Sequence, residues 1–265
     1  MGKINFGIIS PHPPLLIPEI GGSRIAEVAK TKKSLEMVSK RLTELDPDTI
    51  VFFTPHGDIS YYEINIYDSL SFEGNFGQFG LENIVYKAKG DPAFARYIAK
   101  TALAYDIPCK NTDEQFLDHG IMVPLHFIKQ AGAEKEIIPI AISFFGLDQL
   151  YEFGAALQNA VSKSDKKVAV VASADMSHRL FKGAPSGYNP NGKIFDDKLV
   201  ELVGKNDVEG ILGFDMELAE AAGQDAIWSI AMLLGALNNI DAKCEVLSYE
   251  GPFGVGYMVA KYEVN

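Results

Sequence analysis

A single α/β domain, with a central mostly parallel or mixed sheet covered by helices on both faces, is the fold the sequence predicts for residues 1–265. Three observations predict it. Short, almost wholly apolar runs such as Thr49-Ile-Val-Phe-Phe53 and Lys167-Val-Ala-Val-Val-Ala-Ser173 recur, as the buried strands of a doubly covered sheet do. Segments with apolar residues at helical spacing lie between them, so strands and helices alternate. No linker, repeat or low-complexity stretch divides the 265 residues, a length that one core can organise.

The elements follow in order. Residues 4–10 read as the first buried strand. Ser23 is placed to cap a long helix whose Ile25, Val28, Leu35, Val38, Leu42 and Leu45 share a face, and Asp46-Pro47 stops it. Residues 49–53 form the second strand, and residues 62–67 alternate like a half-exposed one. Asp91-Pro92 opens a helix, with the aspartate as cap and the proline at the first helical position. Residues 137–145 and 167–173 are further core strands, separated by a helix over 149–162. An apolar helix over 226–237 leads to terminal strands at 244–249 and 256–264.

Composition narrows the function. The formal net charge of −11 argues against a nucleic-acid or anionic-membrane surface, since both require a basic footprint. No apolar run reaches membrane-spanning length, and Met-Gly-Lys-Ile-Asn-Phe is not a signal peptide. Cys109 and Cys244 lie far apart without metal-type spacing, so a disulfide framework is not expected and a reducing cytoplasm is.

The histidines carry the chemical signal. His12 follows the first strand within Ser10-Pro-His-Pro-Pro14, His56 follows the second within Thr54-Pro-His-Gly-Asp58, and His178 follows the 167–173 strand within Ser173-Ala-Asp-Met-Ser-His178. His119 sits in Asp118-His-Gly120. Ligands in open α/β sheets bind beyond the carboxyl ends of strands, so these four are expected on one rim. The prolines around His12 fix backbone torsions and aim its ring in a nearly constant direction. His126 lies in an apolar helical run and reads as a helix-face residue. Imidazoles with nearby carboxylates suit either an open divalent-metal site or metal-free acid–base catalysis. The His-Glu-x-x-His and Gly-x-Ser-x-Gly motifs are absent, and the glycines of Gly251-Pro-Phe-Gly-Val-Gly256 precede a strand rather than a helix.

Taken in order, Ser10-Pro-His-Pro-Pro14, Thr54-Pro-His-Gly-Asp58, Leu117-Asp-His-Gly-Ile-Met-Val-Pro-Leu125 and Ala174-Asp-Met-Ser-His-Arg-Leu180 resemble the motifs of class III extradiol ring-cleavage dioxygenases. These are the LigB-type catalytic subunits, including a subgroup related to Memo proteins. The resemblance implies a LigB-like fold, a non-haem Fe(II) cofactor (zinc as the alternative), and O2 with a small aromatic diol as substrates. It implies His12 and His56 as metal ligands, His178 as acid–base catalyst, His119 as a second active-site histidine, and Tyr188 and Pro13 at the substrate. The family's third ligand is a carboxylate, usually glutamate. Here the segment reads Ala222-Gly-Gln-Asp-Ala226, which makes Asp225 the expected ligand and Gln224 the alternative. Asp175 is expected either to hold the His178 ring in one tautomer or to cap a turn, and Asp58 to serve as a turn residue. Tyr61, Tyr62 and Tyr188 either line an aromatic pocket or pack half-buried, and Trp228 is expected in the core. Competing functions are a Memo-like metal-binding protein without ring cleavage and a zinc-dependent hydrolase. A homodimer or a small second subunit is the expected assembly.

Overall fold

The computed structural model describes residues 1–264. Among them, ten strands form one mixed sheet: β1 (Lys3–Ser10), β2 (Thr49–Thr54), β3 (Ile64–Tyr67), β4 (Ser71–Phe76), β5 (Leu81–Gly90), β6 (Cys109–Thr112), β7 (Glu136–Ala141), β8 (Lys167–Ser173), β9 (Ala242–Glu250) and β10 (Tyr257–Val264). Their order is β4-β5-β7-β2-β8-β1-β10-β9, with the β3–β6 pair joined to β7. The helices are α1 (Pro18–Gly21), α2 (Ala29–Leu45), α3 (Pro92–Leu103), α4 (His119–Gln130), α5 (Leu147–Ser162), α6 (Pro190–Gly204), α7 (Val208–Leu212), α8 (Met216–Ala222) and α9 (Ile227–Ala236). Two apolar cores result, one under α3, α5 and α9 and the other under α2 and α4.

The centre of the sheet sets the position of the histidines. β7, β2, β8 and β1 run parallel, and Ser10 lies level with Ser173 in the ladder. The carboxyl ends of β1, β8 and β2 therefore open side by side, and the loops bearing His12, His178 and His56 leave from that edge. β1 also pairs antiparallel with β10, so the parallel run ends there.

Two helices need glycine to meet. An added Cβ at Gly235 would lie 1.9 Å from the Tyr151 carbonyl oxygen, and one at Gly154 would lie 2.1 Å from that of Met232. Both obstacles are backbone, so α5 and α9 would have to separate. Gly235→Ala is expected to cost about 1–3 kcal/mol by overpacking, read as a lower urea midpoint at unchanged slope.

The structure departs from the sequence reading in three places. Ser23 does not cap a helix: residues 22–28 form a 3-10 stretch and α2 begins at Ala29. Its first turn is capped from afar by Glu250, whose Oε1 accepts from both the N–H and the hydroxyl of Thr31 at 2.7 Å. A carboxylate at a helix N-terminus is doubly favoured, by hydrogen bonding and by the helix dipole. β3 is wholly buried rather than half-exposed, because β6 flanks it on one side and β7 meets it on the other. The 137–145 strand ends at Ala141, and its last residues turn instead into the rim. Asp91 does cap α3, accepting from Phe94 N–H at 3.0 Å, and Asp46 ends α2 in the left-handed conformation. No helix among the described residues is long and apolar enough to cross a membrane.

Candidate functional site

Each strand end delivers its histidine with the backbone already tied. His12 is buried, its N–H donating to Asp175 Oδ1 at 2.8 Å. Its neighbour Pro13 is extended, at φ −66° and ψ 130°. The Ser173 hydroxyl donates to the Gly120 carbonyl at 2.5 Å, so its oxygen must accept from His12 Nδ1, 2.8 Å away. That assigns the His12 proton to Nδ1 and leaves the Nε2 lone pair facing outward. On β2, Thr54 Oγ1 donates to Asp118 Oδ1 at 2.8 Å and accepts from His56 N–H at 3.3 Å. Asp118 also caps α4 through Ile121 N–H, which sets His119 as the first residue of that helix.

The side chains converge. His12 Nε2 and His56 Nε2 are 2.9 Å apart, and Asp225 Oδ2 lies 3.5 Å and 3.4 Å from them. His119 packs its ring on His56 at 4.0 Å between centroids and stands 5.4 Å from His12. Phe79, from the turn between β4 and β5, contacts the His119 ring at 5.3 Å. His178 is tied to the segment that carries Asp225, its N–H donating to Gly223 O at 3.3 Å. The His178 Nδ1 is buried without a hydrogen-bond partner among the described residues.

Asp225 and Gln224 have separate tasks. Gln224 Oε1 accepts from Ala226 N–H (2.7 Å) and Ile227 N–H (2.9 Å), capping α9, so its oxygen is turned from the imidazoles. Asp225 Oδ1 accepts from Asp175 N–H at 2.9 Å, which leaves Oδ2 toward the two histidines. Asp175 does not hold the His178 ring. No hydrogen bond joins the two among the described residues, and the Asp175 carboxylate is spent on the His12 backbone instead. The six-residue stretch from Ser173 to His178 brings Asp175 to the end of β1, where its carboxylate accepts from His12 N–H.

Electrostatics around the triangle favour a cation at its centre. Burial alone would lower His12, but Asp175 and Asp225 overcome it and raise the imidazole to about 9. Burial would raise Asp225, yet His12 and His56 hold it well below the usual carboxylate range. Burial lifts Asp118 and Asp175 above that range. Burial, followed by His12 and His56, lowers His119 to about 3.

A divalent metal fits these donors. Ligands about 2.0–2.2 Å from a metal stand roughly 3.0–3.5 Å from one another in octahedral or tetrahedral arrangements, and the three observed separations span 2.9 to 3.5 Å. Two imidazole nitrogens cannot face each other at 2.9 Å without a proton or a cation between them. Two neutral imidazoles and one carboxylate form the donor set of open non-haem iron sites. His12, His56 and His119 offer another set, with donor atoms within 4.8 Å of one another. The set with Asp225 is tighter and includes an anion.

The His178 loop has its own anchor. Met176 N–H donates to Gly256 O and Gly256 N–H to Ser177 O, both at 2.9 Å, and Leu180 N–H reaches Gly254 O at 3.2 Å. The glycine-rich 251–256 turn is thus a backbone clamp on that loop. A Cβ at Gly256 would lie 2.1 Å from Asp196 Oδ2. Asp196 is fully buried and accepts from Ser177 N–H (2.8 Å) and from the Tyr249 hydroxyl (2.6 Å). Burial still raises it from 3.8 to about 7. A carboxyl raised on folding binds its proton more tightly in the native state, so its contribution is full below about pH 4 and is lost as the pH climbs toward 7. Asp196→Asn is expected to flatten this fall, seen as a smaller drop in Tm between pH 5 and pH 8 than in the parent.

Other expected residues lie at the edges. Tyr188 is half exposed on the loop after His178, and Tyr61 and Tyr62 are exposed, Tyr61 with its ring against Phe144. Asp58 sits in a turn, its N–H donating to the Tyr67 hydroxyl and its carbonyl accepting from Asn65. His126 lies on α4, bonded through Nδ1 to Tyr86 at 2.9 Å. Sequence reasoning passed over Thr54, Ser173, Asp118 and Asp196. The signal for the first two was a buried hydroxyl closing an otherwise apolar strand. A cavity of about 980 Å3 opens by Asp48, Lys89 and Glu136 at the amino ends of β2 and β7, so size does not locate the site.

Comparison with known proteins agrees with this geometry. The family described as the catalytic LigB subunit of aromatic ring-opening dioxygenase matches residues 7–260. Protein CA_C1420 of Clostridium acetobutylicum is 35% identical over 98% of this chain, which spans 58% of that relative's length. The 3,4-dihydroxyphenylacetate 2,3-dioxygenase of Escherichia coli is 28% identical over 89% of this chain and 91% of its own. A MEMO1 family protein of Methanosarcina barkeri is 29% identical over 50% of this chain and 47% of its own. In three dimensions, the uncharacterized protein JW3007 from Escherichia coli K12 shares the fold, with a TM-score of 0.66 at 15% identity over 98% of this chain and 99% of its own. The strand-end histidines, their facing carboxylate and a family match over nearly the whole length lead to one conclusion: the chain belongs to the LigB family of aromatic ring-opening dioxygenase catalytic subunits.

Proposed function

We propose that the protein is an Fe(II)-dependent extradiol dioxygenase, adding O2 to a small aromatic diol with opening of the ring. The observation that carries this reading is the triangle of His12 Nε2, His56 Nε2 and Asp225 Oδ2, with the His119 ring packed on His56. His12, His56 and Asp225 hold the metal. When bound, Fe(II) supplies coordination sites for diol and O2, acidifies the diol and relays electrons between the two. His178 takes a proton from a substrate hydroxyl and returns it as the ring opens, the two-way role suited to an imidazole. His119, kept neutral by burial, hydrogen-bonds to the reacting oxygen atoms. Pro13 and Tyr188 border the diol. The Ser173 hydroxyl keeps His12 in the one tautomer that presents Nε2.

Two measurements test this. Protein purified without oxygen is expected to hold about one iron per chain, and substituted catechols are expected to consume one O2 per ring opened. Zinc held firmly, with activity toward hydrolysable substrates indifferent to oxygen, would favour the hydrolase. Iron binding without O2 uptake across a catechol series would favour the Memo-like reading, to which the Methanosarcina barkeri relative lends support.

A further inference from the structure

We propose that Tyr61, Phe144 and Trp228 form a second part of the substrate site, a platform for an uncharged aryl or bulky alkyl substituent on the diol. This rests on the reading of the metal centre as a diol site and adds the substrate class. The three rings are arranged in series. Trp228 begins α9 three residues after Asp225, Phe144 meets it edge-on at 5.4 Å, and Tyr61 leans on Phe144 at 4.8 Å. Exposure rises along the series, from half-buried Trp228 through Phe144 at 41% to Tyr61 at 68%. The row therefore starts on the helix that follows Asp225, three residues along the chain from it, and ends in solvent.

The row is built rather than incidental. Tyr61 follows His56 by five residues and Phe144 leaves the end of β7, and the two loops are stitched at Ser60 and Ser143. The Ser143 hydroxyl donates to Ser60 O at 2.7 Å, and Phe144 N–H donates to the same oxygen at 3.4 Å. Those bonds hold two large rings on the surface in fixed contact, where their apolar area would otherwise be expected to fold inward. Aromatic rings presented rigidly lose little entropy on binding a flat apolar group. Of the acidic residues that flank the rings in sequence, Glu63 is paired with Lys110 at 3.1 Å, which leaves Asp58 and Asp148 to disfavour a carboxylate-bearing substituent. Three rings in series, on segments that follow His56, β7 and Asp225, match a ring-sized group borne by the diol.

The chain has a single tryptophan, Trp228, so its emission reports occupancy of the platform directly. Anaerobic titrations of the holoprotein with catechol, 4-phenylcatechol, 4-tert-butylcatechol and 3,4-dihydroxybenzoate would be run on the parent, Phe144→Ala, Tyr61→Ala and Tyr62→Ala. In the parent, the phenyl and tert-butyl compounds are expected to bind about tenfold or more tightly than catechol, and 3,4-dihydroxybenzoate no better than catechol. That ratio is expected to collapse toward one in Phe144→Ala, to shrink in Tyr61→Ala, and to persist in Tyr62→Ala. No preference in the parent, a preference retained in Phe144→Ala, or an equal loss in Tyr62→Ala overturns the platform. So does the failure of every diol to bind. O2 uptake on the same samples separates the two readings. A platform-dependent preference without ring opening sinks the dioxygenase and leaves the platform, whereas ring opening without preference does the reverse.

Discussion

Asp225→Asn is expected to keep the fold and lose the metal, whereas Gln224→Ala is expected to keep the metal and lose some stability. The two residues are adjacent but act on different parts of the molecule. An asparagine retains the side-chain oxygen that accepts from Asp175 N–H, so the loop after β8 stays tied. What disappears is the anionic oxygen 3.4–3.5 Å from the two imidazoles. With the anionic member of the triangle gone, metal affinity should fall by at least about 100-fold, the upper end of what partners one shell further out cost, and ring opening with it. Gln224→Ala removes two hydrogen bonds from the first turn of α9. Loss of a cap costs about 0.5–2 kcal/mol, or several degrees in Tm for a chain of this size. Metal analysis and thermal melts on both variants decide the assignment. Retention of iron by Asp225→Asn would remove the aspartate from the ligand set.

Ser173→Ala carries the second large effect. The serine does not face the triangle, yet it determines which nitrogen of His12 does. Its hydroxyl proton is committed to Gly120 O, and its oxygen receives the His12 Nδ1 proton. Without it, Nδ1 is buried with no acceptor and the ring can exchange tautomers or rotate. Metal affinity, measured by competition with a chelator, is expected to drop by about 10- to 100-fold. Unchanged affinity would mean that Pro11 and Pro13 orient the ring through the backbone alone.

The resemblance to the family was legible because its motifs are local. Pro-His-Pro-Pro, Pro-His-Gly-Asp and Asp-His-Gly each fit within a few residues, and a strand-to-loop boundary is visible wherever an apolar run meets proline or glycine. Helix caps supplied by neighbours in sequence were legible for the same reason, as at Asp91 and α3. The cap of α2 was not, since Glu250 lies 219 residues from Thr31. Asp175 was expected either to hold the His178 ring or to cap a turn, both local roles, whereas the ladder between β1 and β8 brings it to the His12 N–H.

By itself, the sequence determined the alternation of strands and helices, the strand-end placement of His12, His56 and His178, and the choice of a histidine and carboxylate chemistry. Those depend on periodicity, turn chemistry and short motifs, all of which act over a few residues. Only the tertiary structure decided that Asp225 rather than Gln224 faces the imidazoles, that Ser173 sets the His12 tautomer, and that the glycines of 251–256 clamp the His178 loop. Each of these is a hydrogen bond or close approach between segments far apart in the chain. Which groups meet across such distances is set by the order of strands in the sheet, and that order arises when the whole core packs at once.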